Sequence, residues 1–492
     1  MMTAQPSRPW PGRGLGLGDF RKASENGFGD PGNAYPHSMA WWRDRLFVGT
    51  TRSNMCMLKI SKIKTNLAQW PVECPDYLYD LDMRAQIWSL DTATGQWDEA
   101  FRSPMITGRD GQRLPREMGY RNMTVFKGRS DPSEALYLCT YSPAKGIGTQ
   151  ILRLLDGKVP QPVPRPVEWG ERVTTLRLLV PFKGRLFTSP TGEADGNPNS
   201  TSHMVIYETD DPVEGQWRRV CEPRFGDPDN SSVFEMAACG DWLYAGTSGA
   251  KGYQVWRTRA EGPAPYDWEC VLSEGAWRGR ENQGVASMWV FNDALYVGSG
   301  IQHGGIDIVN KVGPAGPELV RINADGSWDL LVGVARDTPH GRKRPLSGLM
   351  PGFGNFFNGY FWRMAAHDGW LYLGTFDWSL MLQYSKSENW NPAFRRAIDK
   401  IGLETMFHHQ AGADLWRSAD GENWLPVTMN GFDNPYNYGI RTLQSTPAGL
   451  FVGTVNPFAP RIAVKGLKGW EYHDNPRGGL EIWRGRTDWG SP

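Results

Sequence analysis

The residues best suited to chemistry form a column rather than a motif. An apolar anchor recurs along the chain, at Met39, Met123, Leu179, Met236, Met288, Met364 and Leu443. Two residues before it stand His37, Arg121, Arg177, Phe234, Ala286, Trp362 and Arg441. One position later come Asn122, Glu235 and Arg363, with Tyr35, Tyr120, Trp169, Tyr360 and Tyr438 just upstream. Arginines and aromatics around one opening suit an anion or carboxylate, because guanidinium forks bind such groups bidentately and stack on rings. Arg121, Arg177, Arg363, Arg441, Trp362 and Tyr120 are thus candidate substrate-binding residues. The alternative is that the arginines brace loop carbonyls. For proton transfer, Glu235 and His37 stand first: a carboxyl at an apolar mouth is raised in pKa, and histidine titrates near neutrality. Tyr438, near Arg441, can donate to a developing anion. Asp377, just past a strand of the sixth repeat, is placed at the same mouth.

No nucleophile elbow, P-loop, dinucleotide fingerprint or HExxH is present. No cofactor is therefore predicted. A metal ion at the loop face stays open, because His303, Asp307, His408, His409 and His473 would have to be gathered across repeats.

The elements that must position this column come from a repeat. The phrase Leu-aromatic-x-Gly-Thr reads Leu46–Thr50, Leu243–Thr247, Leu295–Ser299, Leu371–Thr375 and Leu450–Thr454, with degenerate copies at Leu136–Thr140 and Leu186–Pro190. Downstream of each comes an apolar-Trp-Arg strand, as in Leu415-Trp416-Arg417, then a Gly/Asp turn leading to a second Trp. Each unit holds four short strands and cannot bury both faces alone. Radial stacking buries them and leaves only short edges. The expectation is an all-β, seven-bladed β-propeller of four-stranded antiparallel blades. The phrase Phe225–Asn230 follows an outer strand, and its like at Phe28–Asn33 has no blade before it. The stretch around Arg13–Asn26 is therefore expected to supply the last blade's fourth strand and close the ring.

The domain expectation is a disordered tail over 1–12 and one propeller domain over 13–492. Its long insertions, 51–84, 333–360, 376–413 and 455–479, all fall on one face. Long loops gathered on one face mark it as the functional one. Seven of the eight histidines sort there too: His37, His203, His303, His340, His408, His409 and His473, against His367 on the other. One helix is predicted: Asn391-Pro392 starts it and Phe394, Ala397, Ile398 and Ile401 form its apolar stripe.

Lys+Arg and Asp+Glu are both 53, so no net charge drives binding to nucleic acid or an anionic membrane. No stretch approaches ~20 uninterrupted apolar residues, and the N-terminus lacks a secretion-signal core. The six cysteines, with no CxxC among them, are expected as free thiols of a cytoplasmic protein. The partner expectation is a small-molecule substrate, neither nucleic acid nor membrane, with the chain a monomer or homodimer.

The phrases LYLGT, GADLWRSADGENW and NPYNYGIRTL…LFVGTVNPF resemble those of bacterial seven-bladed β-propeller proteins, over essentially the whole chain. The general look is also similar to the propeller of the cyanobacterial Friedel–Crafts alkylating enzymes of cylindrocyclophane biosynthesis. That resemblance implies Arg121 or Arg441 with Tyr438 as site groups; the calcium-binding repeat domain of those enzymes is not in this sequence. A sialidase comparison rests on Ser418–Trp424, a shortened Asp-box-like turn. The function expected is an enzyme for an aromatic or carboxylate-bearing small molecule. Its step would be alkylation or another cofactor-independent bond-forming or bond-cleaving reaction of secondary metabolism, of transferase, lyase or hydrolase type. The alternatives are a non-catalytic protein-interaction scaffold and a metal-dependent propeller enzyme.

Overall fold

The computed structural model describes residues 11–60, 66–156, 159–194 and 198–489. It is mostly β, with antiparallel pairing and few helices. The tail expected over 1–12 falls, for residues 1–10, outside the described residues. The Gly12 carbonyl accepts a bond from Trp370 Nε1 at 2.8 Å.

The pairing registers give four-stranded units, referred to by repeat. Repeat 1 is Asn33–Trp42, Arg45–Arg52, Gln86–Asp91 and Trp97–Arg102. Repeat 2 is Gly119–Phe126, Ala135–Tyr141, Ile151–Leu154 and Gln161–Val163. Repeat 3 is the shortest: Val180–Phe182, Arg185–Thr188, Tyr207–Thr209 and Arg218–Arg219. Repeat 4 is Asn230–Cys239, Trp242–Gly249, Val255–Thr258 and Glu269–Leu272. Repeat 5 is Gly284–Phe291, Ala294–Gly300, Leu319–Ile322 and Trp328–Val332. Repeat 6 is Asn358–His367, Trp370–Asp377, Leu415–Ser418 and Leu425–Thr428. Repeat 7 takes Gly439–Thr446, Gly449–Val455 and Glu481–Gly485 from the C-terminal end and Phe20–Lys22 from the N-terminal end.

The repeated phrase explains how neighbouring units pack. Its Leu and aromatic are buried in every copy, because the second strand is covered on both faces. Its glycine is where the next unit comes closest. A Cβ at Gly49 would lie 2.7 Å from Met123 Cε and Tyr120 Cβ of repeat 2. A Cβ at Gly453 would lie 2.7 Å from the Pro36 ring, so repeat 7 packs on repeat 1 as the others pack on their successors.

A turn opened by a phenylalanine recurs as a clamp, reading Phe-Gly-Asp-Pro at Phe28 and Phe225 and varied at Phe353 and Phe432. Phe28, Phe225, Phe353 and Phe432 all have positive φ, between 53° and 60°. Non-glycine residues pay for that conformation. Stacking offsets the cost: Phe225 lies 4.8 Å from Trp256 and Phe353 lies 4.5 Å from Trp416, ring to ring.

Insertions from repeats 1, 6 and 7 join into one cap. Leu67 bridges Ser385, and Val72 bridges Ile462. Arg461 pairs with Glu73 at 2.6 Å, and Gln69 Nε2 donates to the Tyr472 hydroxyl at 2.8 Å. The helix Pro392–Ile401 forms as its sequence dictates, Asn391 capping Ala393 N at 2.9 Å. Ile398 is buried from it while Ile401 is half exposed. The expectation of six free thiols is corrected: Cys56 and Cys74 form a disulfide within the first insertion. Cys139, Cys221, Cys239 and Cys270 are free. The spacing carried no CxxC, and only the fold of the insertion brings these two together.

Candidate functional site

The candidate column is built from β-bulges. Pro36 pairs with Thr50 and Ser38 with Gly49, so His37 is the extra residue. Arg121, Phe234, Ala286, Trp362 and Arg441 are skipped in the same way in repeats 2, 4, 5, 6 and 7. Arg177 lies between the short strands Val173–Leu176 and Val180–Phe182 of the irregular repeat 3. A bulge bends the strand and re-aims one side chain out of the alternation. That device turns this column away from the residues just before it, Tyr120, Val233, Val285, Phe361 and Ile440, which stay in the core.

The side chains do meet. Arg363 Nη1 of repeat 6 lies 3.4 Å from Glu235 Oε2 of repeat 4. Repeat 5 separates those units in the chain, so the pair forms across the middle of the molecule. Arg363 Nε also donates to the Arg441 carbonyl at 3.3 Å. Arg121 donates to Thr175 Oγ1 at 3.0 Å, Pro198 O at 3.2 Å and Asn199 Oδ1 at 3.0 Å. Arg177 shares Asn199 Oδ1 at 3.2 Å and lies over the Phe234 ring at 4.2 Å. Arg441, 2 % exposed, sits 5.6 Å from the Trp362 ring centre, and its Nη1 has no partner.

The charge here is one-sided. Four buried or nearly buried guanidiniums face one carboxylate. Burial, then Arg363 and Arg177, push Arg441 well below the usual arginine range. Burial and Arg121 bring Arg177 down to about 9, while burial and Arg441 bring Arg121 to about 10. Burial, then Arg121, Arg441, Arg177 and Arg363, hold His37 well below the ordinary histidine value. His37 is therefore a neutral imidazole near pH 7, with Nδ1 2.7 Å from Thr51 Oγ1.

Tyrosines lie beside the arginines, with Arg441 and Arg121 acting on the Tyr35 phenol. Tyr35 and Tyr438 are 3.1 Å apart, hydroxyl to hydroxyl. Tyr438 packs on Phe376 at 4.8 Å and Phe458 at 5.3 Å, both from the roots of cap insertions. Burial raises the Tyr438 phenol well above its usual value, so it stays a neutral phenol. Tyr360 accepts a bond from Gly304 N at 2.5 Å.

Two candidates lie elsewhere. Tyr120 precedes the bulge and so points the other way, into the core with Ala40, Phe47 and Met123. Its assignment as a substrate-binding residue is corrected. Asp377 is fully buried at the root of the sixth insertion, not at the mouth. Its Oδ1 accepts from Ser379 N at 2.8 Å and from the Ser379 hydroxyl, and Oδ2 from Asn355 Nδ2 at 3.1 Å. Burial and nearby Asp414 push it up to about 7, and burial brings Asp414 to about 6. Asp414 was missed in the sequence. The signal was an acid or amide directly before the apolar-Trp pair, as in Gln86, Gln254, Asp414 and Glu481. Among the described residues no group of three or more His, Cys, Asp and Glu converges to hold a metal, so the multi-histidine site is not assembled.

No family model matches this chain, and no curated protein matches it in sequence. Solved structures show similarity at low identity. A protein described as a gluconolactonase matches at 10% identity over 65% of this chain and 84% of its own, with a TM-score of 0.35. An α-L-arabinofuranosidase from Clostridium thermocellum matches at 13% identity, covering 60% and 92%, with a TM-score of 0.29. A protein described as a 6-phosphogluconolactonase from Bacteroides fragilis matches at 11% identity, covering 81% and 93%, with a TM-score of 0.34. At these levels the likenesses carry no argument about activity here. No described helix is long and apolar enough to cross a membrane.

Proposed function

We propose that this chain is a seven-bladed β-propeller whose central mouth binds a small organic anion and acts on it enzymatically. The N-terminal strand would close the last blade, and the cap of insertions 51–84, 376–413 and 455–479 would cover the site. The observation that carries the reading is the charge imbalance: Arg121, Arg177, Arg363 and Arg441 against Glu235 alone. Buried like charges are costly unless something balances them, and a carboxylate or phosphate ester would do so. Arg441, with an unpartnered Nη1 beside Trp362, is the anion's anchor, and the aromatic neighbours suit a ring on the same molecule. Tyr438 would donate to charge developing in the reaction, and neutral His37 would take or relay a proton. The chemistry is thus bond formation or cleavage driven by electrostatic stabilisation.

The test is equilibrium binding of a panel of aromatic carboxylates and sugar phosphates to wild type and Arg441→Met. Loss of a charge-assisted bond worth about 1.5–3 kcal/mol predicts a ten- to hundredfold weaker Kd. A wild type that binds none of them, or a variant that binds equally well, sinks the reading. The scaffold alternative is favoured by one observation: Arg121 and Arg363 donate to backbone carbonyls. It predicts a stable protein partner whose binding survives substitution of Arg441.

A further inference from the structure

A network recurs in five of the seven repeats, and repeat 6 departs from its pattern. Asn33 donates to Gln86, Asn230 to Gln254, Asn282 to Glu318, Asn358 to Asp414 and Asn437 to Glu481. In repeats 1 and 4 the acceptor is a neutral amide. In repeats 5 and 7 it is a carboxylate, and basic side chains balance it: Arg336 lies 3.0 Å from Glu318 and Lys22 lies 2.8 Å from Glu481. The asparagine's own oxygen is also satisfied in these units. Arg52 donates to Asn33, Thr247 to Asn230, Ser299 to Asn282 and Asn456 to Asn437.

Repeat 6 differs at both points. The main influences on Asp414 and Asp377 include no lysine or arginine. Asp414 Oδ1 and Asn358 Oδ1, in fully buried residues, have no hydrogen-bond partner. The residue facing Asn358 across the strand pair is Asp377, where repeat 1 sets Arg52 against Asn33. Asn358 thus pairs with Asp377 across the strands while its amide nitrogen holds Asp414 at 2.8 Å. Two carboxylates and an amide oxygen stand where the other units place an acid with a base, or neutral groups only.

We propose that Asp377, Asp414 and Asn358 Oδ1 bind a hard metal cation at the root of the sixth insertion. An all-oxygen donor set with two negative charges suits calcium better than a soft metal. The ion supplies the positive charge that Arg336 and Lys22 supply elsewhere. It also fixes Asp377 between Phe376 and Trp378, whose rings lie in the apolar cluster with Trp362 and Tyr438. The site is independent of the arginine mouth and stands or falls separately.

The test uses the full chain, dialysed against EDTA and titrated with calcium chloride by calorimetry, with Tm followed in parallel. The expected result is saturable binding of one equivalent and a rise in Tm of several degrees. Asp377→Asn and Asp414→Asn each keep the side-chain size and remove one charge, so whichever of them folds in EDTA should lose both effects. No heat and no Tm shift at millimolar calcium would overturn the site. So would calcium binding that persists in a folded variant. Stabilisation of the EDTA-treated wild type by mild acid, with none from calcium, would also overturn it, by showing that a shared proton fills the gap.

Discussion

Arg441 carries a burial cost that no hydrogen bond at Nη1 offsets. Its guanidinium is buried, unpartnered at Nη1 and repelled by Arg363 and Arg177. Replacing it with methionine keeps the contact with Trp362 and deletes the charge. The ligand-free variant should therefore be more stable than wild type, by about 1–3 kcal/mol in urea unfolding. A bracing arginine predicts the opposite sign, so this measurement separates the two readings before any substrate is known. His37 gives a second residue-scale prediction. Its folded pKa is depressed below the unfolded value of about 6.5 by burial and by Arg121, Arg441, Arg177 and Arg363. Between those values the unfolded chain binds a proton that the folded chain does not. Stability is then full above the unfolded pKa and falls as pH drops below it, by up to about 1.4 kcal/mol per pH unit. In His37→Gln the loss of stability between about pH 7.5 and pH 5.5 should be smaller by roughly that one-proton slope. Equal slopes in the two proteins would show that His37 takes up its proton in the fold as readily as in the unfolded chain.

At the scale of elements, the cap depends on one covalent tie. Cys56 lies in the short helix Asn54–Ile60, and Cys74 follows the stretch that meets Ser385 and Ile462. The bond closes a loop with a sequence separation of 18. A loop of that size is worth about 3 kcal/mol in the chain-entropy account. Cys56→Ser with Cys74→Ser should lower the Tm and expose the first insertion to protease, leaving the strands intact. Limited proteolysis with mass mapping checks this; cleavage spread over the whole chain would contradict a local role. The strands themselves were legible because each phrase carries its own packing logic: Leu46 and Phe47 are buried, and Gly49 admits the next unit. The column was legible for a related reason, since a bulge two residues before a regular anchor keeps a fixed offset. Tyr120 misled because a bulge reverses the facing of adjacent residues, and no sequence spacing shows it. The disulfide was invisible because it lies within an insertion that has no counterpart in the other repeats, whereas Asp414 stands at a repeated position whose buried neighbour Asp377 the spacing does not reveal.

At the scale of the whole molecule, the N-terminal strand decides whether the ends are joined. Phe20–Lys22 pairs with Glu481–Gly485, and Ala23 N and Gly27 N donate to Ile482 O and Leu480 O, each at 2.7 Å. Phe20 is buried, 5.4 Å from the Phe432 ring, and Lys22 neutralises Glu481. Leu15 N donates to the Tyr372 hydroxyl at 2.8 Å, which ties the same segment to repeat 6. Phe20→Ala should cost about 3–5 kcal/mol, as a large aromatic removed from a packed site does. Deleting residues 1–24 should do more, because it uncovers the edge at Glu481–Gly485 and leaves Glu481 buried without its base. Free strand edges recruit other chains. The deletion should therefore show a lower Tm and concentration-dependent association by light scattering, and a synthetic peptide spanning residues 13–26 should reverse both. If the peptide restores Tm but the association persists, the exposed edge is not the cause. If the deletion leaves Tm unchanged, the strand only decorates a fold that repeat 7 completes alone. The bond pattern argues against that outcome, because without this segment repeat 7 keeps three strands where every other unit has four.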